Sequence, residues 1–129
     1  MILSISPQHL EARQAGSLAH LDAGAGRARV RIYNGVQPAF GGPETQMLVE
    51  VALTKPAGIV AGGVLSLTTS TFGLIAVTGQ ATWARVVNGN GEIAFDCDVT
   101  DSTGNGVIQL ESTQLYAGGK AFLTALNLG

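Results

Sequence analysis

Gly79-Gln80-Ala81-Thr82-Trp83-Ala84-Arg85-Val86-Val87, then Asn88-Gly89-Asn90-Gly91, then Glu92-Ile93-Ala94-Phe95-Asp96-Cys97-Asp98-Val99 is the stretch on which the fold turns. Two runs alternate apolar and polar residues with period two, and a glycine- and asparagine-rich tetrapeptide separates them. Alternation marks half-buried strands, and Asn-Gly favours the positive φ that a tight hairpin turn needs. On the return run Ile93, Phe95, Cys97 and Val99 take one face, and Glu92, Ala94, Asp96 and Asp98 the other. Residues 79–99 therefore read as a β-hairpin.

The same period extends outward in both directions. Ala28, Val30 and Ile32 alternate with Arg27, Arg29, Arg31 and Tyr33, and Asn34-Gly35 closes that strand. Val36 to Thr45, with Gln37-Pro38 and Gly41-Gly42-Pro43, reads as a loop. A strand follows over Gln46 to Thr54, ended by Lys55-Pro56, and a Gly/Ala-rich link leads into Gly63 to Thr68. Beyond the hairpin come a turn at Asp101 to Gly106, one or two short strands within Val107 to Tyr116, and a closing strand over Lys120 to Leu128. Ala61-Gly62-Gly63 and Ala117-Gly118-Gly119 reuse one turn type before a strand.

Only the N-terminal part breaks this period. Ser6-Pro7 combines an N-cap residue with a proline suited to the first helical turn, and the residues to Ala23 are mostly helix formers. Leu10, Gln14, Leu18 and Leu21 share one narrow face, and Gly24 and Gly26 end the helix. Turn signals every eight to twelve residues point to an all-β sheet structure. The expected fold is mainly β, an antiparallel β-sandwich or jelly-roll-like domain of about eight strands with one N-terminal helix. Residues 1–26 would form an arm and helix, and residues 27–129 the β-sandwich domain of a single globular unit.

Composition narrows the function. The 129 residues are 12% charged and 46% hydrophobic, with 18 glycines and a net charge of −2. Mean hydropathy is +0.30. A disordered chain carries more charge and fewer apolar residues. Seven Lys+Arg are too few for a polybasic nucleic-acid binder. One cysteine, Cys97, makes neither an internal disulfide nor a cysteine-based zinc site. No apolar run approaches the ~18 residues of a membrane span, and the N-terminus lacks the basic region of a signal peptide. Expectations are therefore no membrane, no nucleic acid and no cofactor. So little charge on a small domain suggests that part of its surface is covered in its working state.

Candidate chemistry is sparse. His9 and His20 lie too far apart along one helix to share a metal. Asp96, Asp98 and Asp101 form the densest acidic cluster, read as a polar face running into a turn, with a cation held by oxygen ligands as the alternative. Cys97 reads as a small buried hydrophobe, and Trp83 as a packing residue or, alternatively, a sugar-stacking platform. No G-x-S-x-G elbow, H-E-x-x-H or P-loop occurs, so no catalytic residue is assigned and the chain is read as a non-enzyme. Arg27, Arg29, Arg31 and Tyr33 line one strand face and, with Leu10, Leu18 and Leu21 of the helix, are the expected partner-contact residues. A slight positive excess in the first sixty residues against a negative remainder suits subunit contacts.

The order of segments resembles a group of small virion structural proteins of tailed bacteriophages and prophages. The likeness rests on the helix from Pro7 running into Asp22-Ala23-Gly24, on Val30-Arg31-Ile32-Tyr33-Asn34-Gly35 and the Pro38 to Gly42 loop, and on the Met47 to Leu53 strand. It continues through Thr78-Gly79-Gln80-Ala81-Thr82-Trp83-Ala84-Arg85-Val86-Val87 to Ala117-Gly118-Gly119. Asn34-Gly35 stands where Asp-Gly is more usual, and Cys97 interrupts what is often Asp-Gly-Asp. The resemblance implies a structural role in the virion, in head or tail; the leading expectation is a capsid decoration or cement (minor capsid) protein that binds and stabilises the assembled head, made in the bacterial host cytoplasm and carried in the virion. Its partner would be the major capsid protein or another virion protein, and it would form a homo-oligomer, a trimer being favoured. A tail, baseplate or fibre-attachment component is the alternative, and a host-glycan-binding β-sandwich with Trp83 or Tyr33 as stacking residue a further one.

Overall fold

The structure, a computed structural model, describes residues 4–128. One helix, α1 (Pro7–Leu21), precedes β1 (Arg29–Tyr33), β2 (Met47–Ala61), β3 (Val64–Thr69), β4 (Gly73–Leu74), β5 (Gly79–Gln80) and β6 (Trp83–Val87). Then follow β7 (Ile93–Asp101), β8 (Ile108–Leu110), β9 (Gln114–Leu115), β10 (Lys120–Ala121) and β11 (Leu123–Leu128). The hairpin of residues 79–99 forms around β6 and β7, with Val86 opposite Phe95, Arg85 opposite Asp96 and Trp83 opposite Asp98.

The expected sandwich or jelly roll does not form. Seven strands close into a barrel in the order β1-β2-β3-β11-β8-β7-β6, and β6 pairs back on β1. Two local features divert the strands from an open sheet. First, β2 is 15 residues long and serves two neighbours, pairing through its first half with β1 and through its second half with β3. Its register against β3 shifts between Leu53 and Gly58, which bends the strand around a barrel corner. The Gly/Ala-rich link expected after Pro56 is thus strand, turned back by Gly62 and Gly63, both at positive φ as a two-residue hairpin turn requires.

Second, β7 and β8 run parallel, with Val99 opposite Ile108 and Asp101 opposite Leu110. Parallel neighbours ordinarily need a crossover of a dozen or more residues. Here residues 102–107 suffice, because the chain folds back tightly over Thr100. A Cβ on Gly106 would stand 2.8 Å from the Thr100 backbone nitrogen, and one on Gly104 2.6 Å from the Thr100 Cβ. Gly106 N donates to Thr100 Oγ1 at 3.0 Å, and Val107 N to Asp98 Oδ1 at 3.1 Å. β11 then completes the ring by pairing with β3 on one side and β8 on the other.

A small barrel fills its interior with side chains. Val30, Ile32, Val51, Leu53, Leu65, Ala84, Val86, Ile108 and Leu110 meet in one core. Outside the ring, residues 73–81 and 113–121 form an antiparallel ribbon through the β4–β10 and β5–β9 pairs. Helix α1 lies across β2 and β3. Ser6 caps it by accepting from His9 N at 3.1 Å, and Asp22 fastens its far end by accepting from Ala57 N at 2.9 Å.

Candidate interaction surfaces

The first candidate surface grows from the outward face of β1, β6 and β7. Cross-strand pairing sets Tyr33 beside Trp83 and Arg31 beside Arg85, with Asp96 next to Arg85 on β7. The Tyr33 and Trp83 rings stack at 4.4 Å between centroids and 16° between planes, and the Arg85 guanidinium sits 5.3 Å from the Trp83 ring. Arg85 grips Asp96 with both arms, Nε to Oδ1 at 2.8 Å and Nη2 to Oδ2 at 3.1 Å. Both side chains are almost fully buried, 4% and 2% exposed. The hydrogen bonds that Arg85 donates to Asp96 favour the charged guanidinium and raise the Arg85 pKa.

What covers this cluster is the 34–46 loop, fastened at several points. Arg85 Nη2 donates to the Gly42 carbonyl at 2.9 Å, and Gly41 N donates to Asp96 Oδ2 at 3.3 Å. Trp83 Nε1 donates to Asn34 O at 3.1 Å and to Thr45 Oγ1 at 2.9 Å. The Thr45 hydroxyl donates to Asn34 O, and Gln46 N to Asn34 Oδ1, closing the base of the loop. Held in this way, the loop turns two apolar side chains to solvent: Val36 is 86% and Phe40 68% exposed.

The second surface lies on the outer ribbon. Residues 111–122 leave the barrel and return to it, closed at the base by Glu111 N donating to Phe122 O. Between their two limbs runs a groove of about 390 Å³, floored by Ile75 and Leu115 and walled by Tyr116, Phe122, Lys120 and Glu111. Beside it, Phe72 and Phe122 meet at 6.0 Å in a tilted pair, and Lys120 Nζ lies 4.5 Å from the centre of the Phe72 ring. Leu74 is 61% and Tyr116 66% exposed, and Phe72 and Phe122 also face solvent.

Several expected contact residues are used within the chain. Leu21 is buried, Leu18 packs against the core, and Leu10 rests on the β2–β3 turn, where a Cβ on Gly63 would meet its Cδ2 at 2.6 Å. The apolar stripe of α1 thus faces its own barrel; Met1 to Leu3 of the arm lie outside the described residues. Tyr33, expected at a partner surface, is fully buried beneath the 34–46 loop, because that loop folds back over the outer strand face. Arg31 donates to Glu50 at 2.8 Å and Arg29 lies 3.7 Å from the same carboxylate, while Arg27 is exposed. Burial of Tyr33 and Trp83 also removes both as sugar-stacking platforms.

The acidic cluster is divided among structural tasks. Asp96 holds Arg85, Asp98 accepts from Val107 N, and Asp101 accepts from Thr103, whose hydrogen bonds lower its pKa. Among the described residues no three His, Cys, Asp or Glu side chains gather as a metal site would. Burial pushes the Cys97 thiol up to about 12, which leaves it an inert packing group. Sequence reasoning missed Val36, Phe40, Phe72, Leu74, Tyr116 and Phe122 as exposed apolar groups. For Leu74 the signal was present: Gly73, Ile75 and Ala81 face inward while Leu74, Ala76 and Gln80 face outward, a period-two run hidden by its glycines. The chain matches no protein-family model, no curated protein and no solved structure.

Proposed function

We propose that the chain is a non-enzymatic structural protein of a tailed-phage virion, a capsid decoration or cement protein that binds the assembled head. Two things support the reading: the ordered set of sequence segments described above and the construction of the 34–46 loop. The loop is the carrying observation. A buried ion pair and two indole hydrogen bonds hold it rigidly while it presents Val36 and Phe40 to solvent. Apolar anchors fixed in advance lose little conformational entropy on docking, which is how a small contact gains affinity.

The mechanism is mass action. A protein that binds the closed shell and not its separated parts stabilises the shell by RT ln(1 + [L]/Kd) at every site. Its partner in this reading is the major capsid protein or another virion protein, and it acts as a homo-oligomer, with a trimer favoured. Quantitative mass spectrometry of purified particles tests the assignment. Copies comparable in number to the capsomers support it, and Phe40→Asp should lower the occupancy of shells at least tenfold. A handful of copies per particle would transfer the protein to the tail, and absence from the particle would overturn the virion reading.

A further inference from the structure

The ribbon surface is separate from the 34–46 loop and needs a different explanation. Tyr116 and Phe122 line one groove, Phe72 and Leu74 stand exposed beside it, and no element among the described residues covers them. The geometry points to this face as the contact between two copies of the chain, with Lys120 of one copy opposite Glu111 of the other.

Charge decides the occupant. Of the charged strand residues near the first surface, Arg29, Arg31 and Arg85 are each within ion-pair distance of Glu50, Glu44 or Asp96. Lys120 and Glu111 both line the ribbon groove, and neither has an ion-pair partner among the described residues. The face therefore carries one cation, one anion and an apolar surface around them. Such a pattern is complementary to itself: around a rotation axis the lysine of each copy meets the glutamate of the next, in a trimer as in a dimer. A face of uniform sign would repel its own copy.

The apolar groups point the same way. Tyr116 and Phe122, with Gln114 and Ser112 nearby, resemble a sugar site when taken alone. Leu74 and Phe72 extend the surface beyond the groove, and an aliphatic side chain 61% exposed finds its match in protein side chains. Lys120 is also positioned before any encounter, since its ammonium rests on the Phe72 ring. The ring limits the loss of rotamer freedom when the lysine is captured.

Light scattering after size exclusion, and sedimentation equilibrium, test this on the full chain in the absence of particles. The wild-type protein at about 100 µM should show a mass at a multiple of the 13.2 kDa chain. Lys120→Glu and Glu111→Lys should each weaken association at least tenfold, and the double variant should restore it. Phe122→Asp should give the monomer, with an unchanged circular dichroism spectrum showing that the barrel is intact. A monomeric wild type overturns the inference. So does an oligomer that all four variants leave unchanged, or single-variant losses that the double exchange does not repair. A monomer that captures an oligosaccharide on a glycan array, with capture lost in Tyr116→Ala, would assign the groove to sugar instead. A monomeric free chain would remove self-association from the proposed function and leave head binding to the particle measurement, and absence of the protein from particles leaves this contact standing.

Discussion

Tyr33 shows how one side chain can be placed correctly on a strand and still be misread. Alternation puts it on the outward face of β1, which is where it lies, yet it is fully buried. Outward from the barrel is not outward to water here, because the 34–46 loop folds over that face. Among the described residues no hydrogen bond of normal geometry reaches the phenol Oη, and burial followed by the nearby Glu44 carboxylate pushes the group up to about 12. In the unfolded chain the phenol titrates near 10. Between about pH 10 and about pH 12 the folded protein therefore keeps a proton that the unfolded chain has lost. The stability owed to this group is complete below pH ~10 and falls as pH rises toward 12. Tyr33→Phe should flatten that alkaline limb in urea titrations and leave neutral-pH stability unchanged or up to about 1 kcal/mol higher. The neighbouring pair behaves oppositely. Asp96→Ala strands a buried guanidinium and should cost about 3–5 kcal/mol in denaturant unfolding. Replacing both partners, Arg85→Met with Asp96→Leu, should recover part of that loss. The single change should also speed amide exchange at Gly41, whose N–H loses its acceptor.

At the scale of elements, the strands were legible and their partners were not. Period two located β1, the first half of β2, β6 and β7, because each has one face in the core and one outside. It concealed β4, two residues beginning at Gly73, and it ran β5, β9 and β10, also two residues each, into the longer strands expected over 79–87, 107–116 and 120–128. It also says nothing of direction, so the 102–107 link reads as an antiparallel turn although it carries a parallel pair. That link and the bent β2 together separate a barrel from a sandwich. The link's two glycines are there for closeness of approach, and neither is at a positive φ. Gly106→Ala should push the link off Thr100, break the hydrogen bond to Thr100 Oγ1 and cost about 1–3 kcal/mol. Urea midpoints report the loss. Hydrogen exchange should place it at the β7–β8 pair and spare the β1–β2 pair; loss of protection spread evenly over the barrel would mean that the link has no special part in closure. The helix presents the reverse case. Its cap, its face and its end are read directly from Ser6, Leu21 and Gly24, and only the surface it packs against, the chain's own β2 and β3, lies beyond local pattern.

For the whole molecule, composition asked a question that the structure divides in two. Only 12% of residues are charged, and much of that charge is consumed internally, in Arg85–Asp96 and in Glu50 with Arg29 and Arg31. What is left over is concentrated apolar surface at the pinned loop and at the ribbon groove. Apart from the alternation around Leu74, neither was legible in the sequence. Exposure of Phe40 depends on contacts to Arg85 and Asp96, 43 and 55 residues away from their loop partners, and the groove depends on residues 111–122 arching over Ile75. The position of β11 has a consequence for synthesis. It is the one strand bonded to both β3 and β8, so a nascent chain can build the β1–β2, β2–β3, β1–β6 and β6–β7 pairs and still hold an open sheet. Until residues 123–128 have emerged from the ribosome, two unpaired backbone edges face solvent, each a template for pairing with another nascent chain. Emergence of a single six-residue segment shuts both at once, so the interval in which this protein is exposed to mispairing is set by translation time.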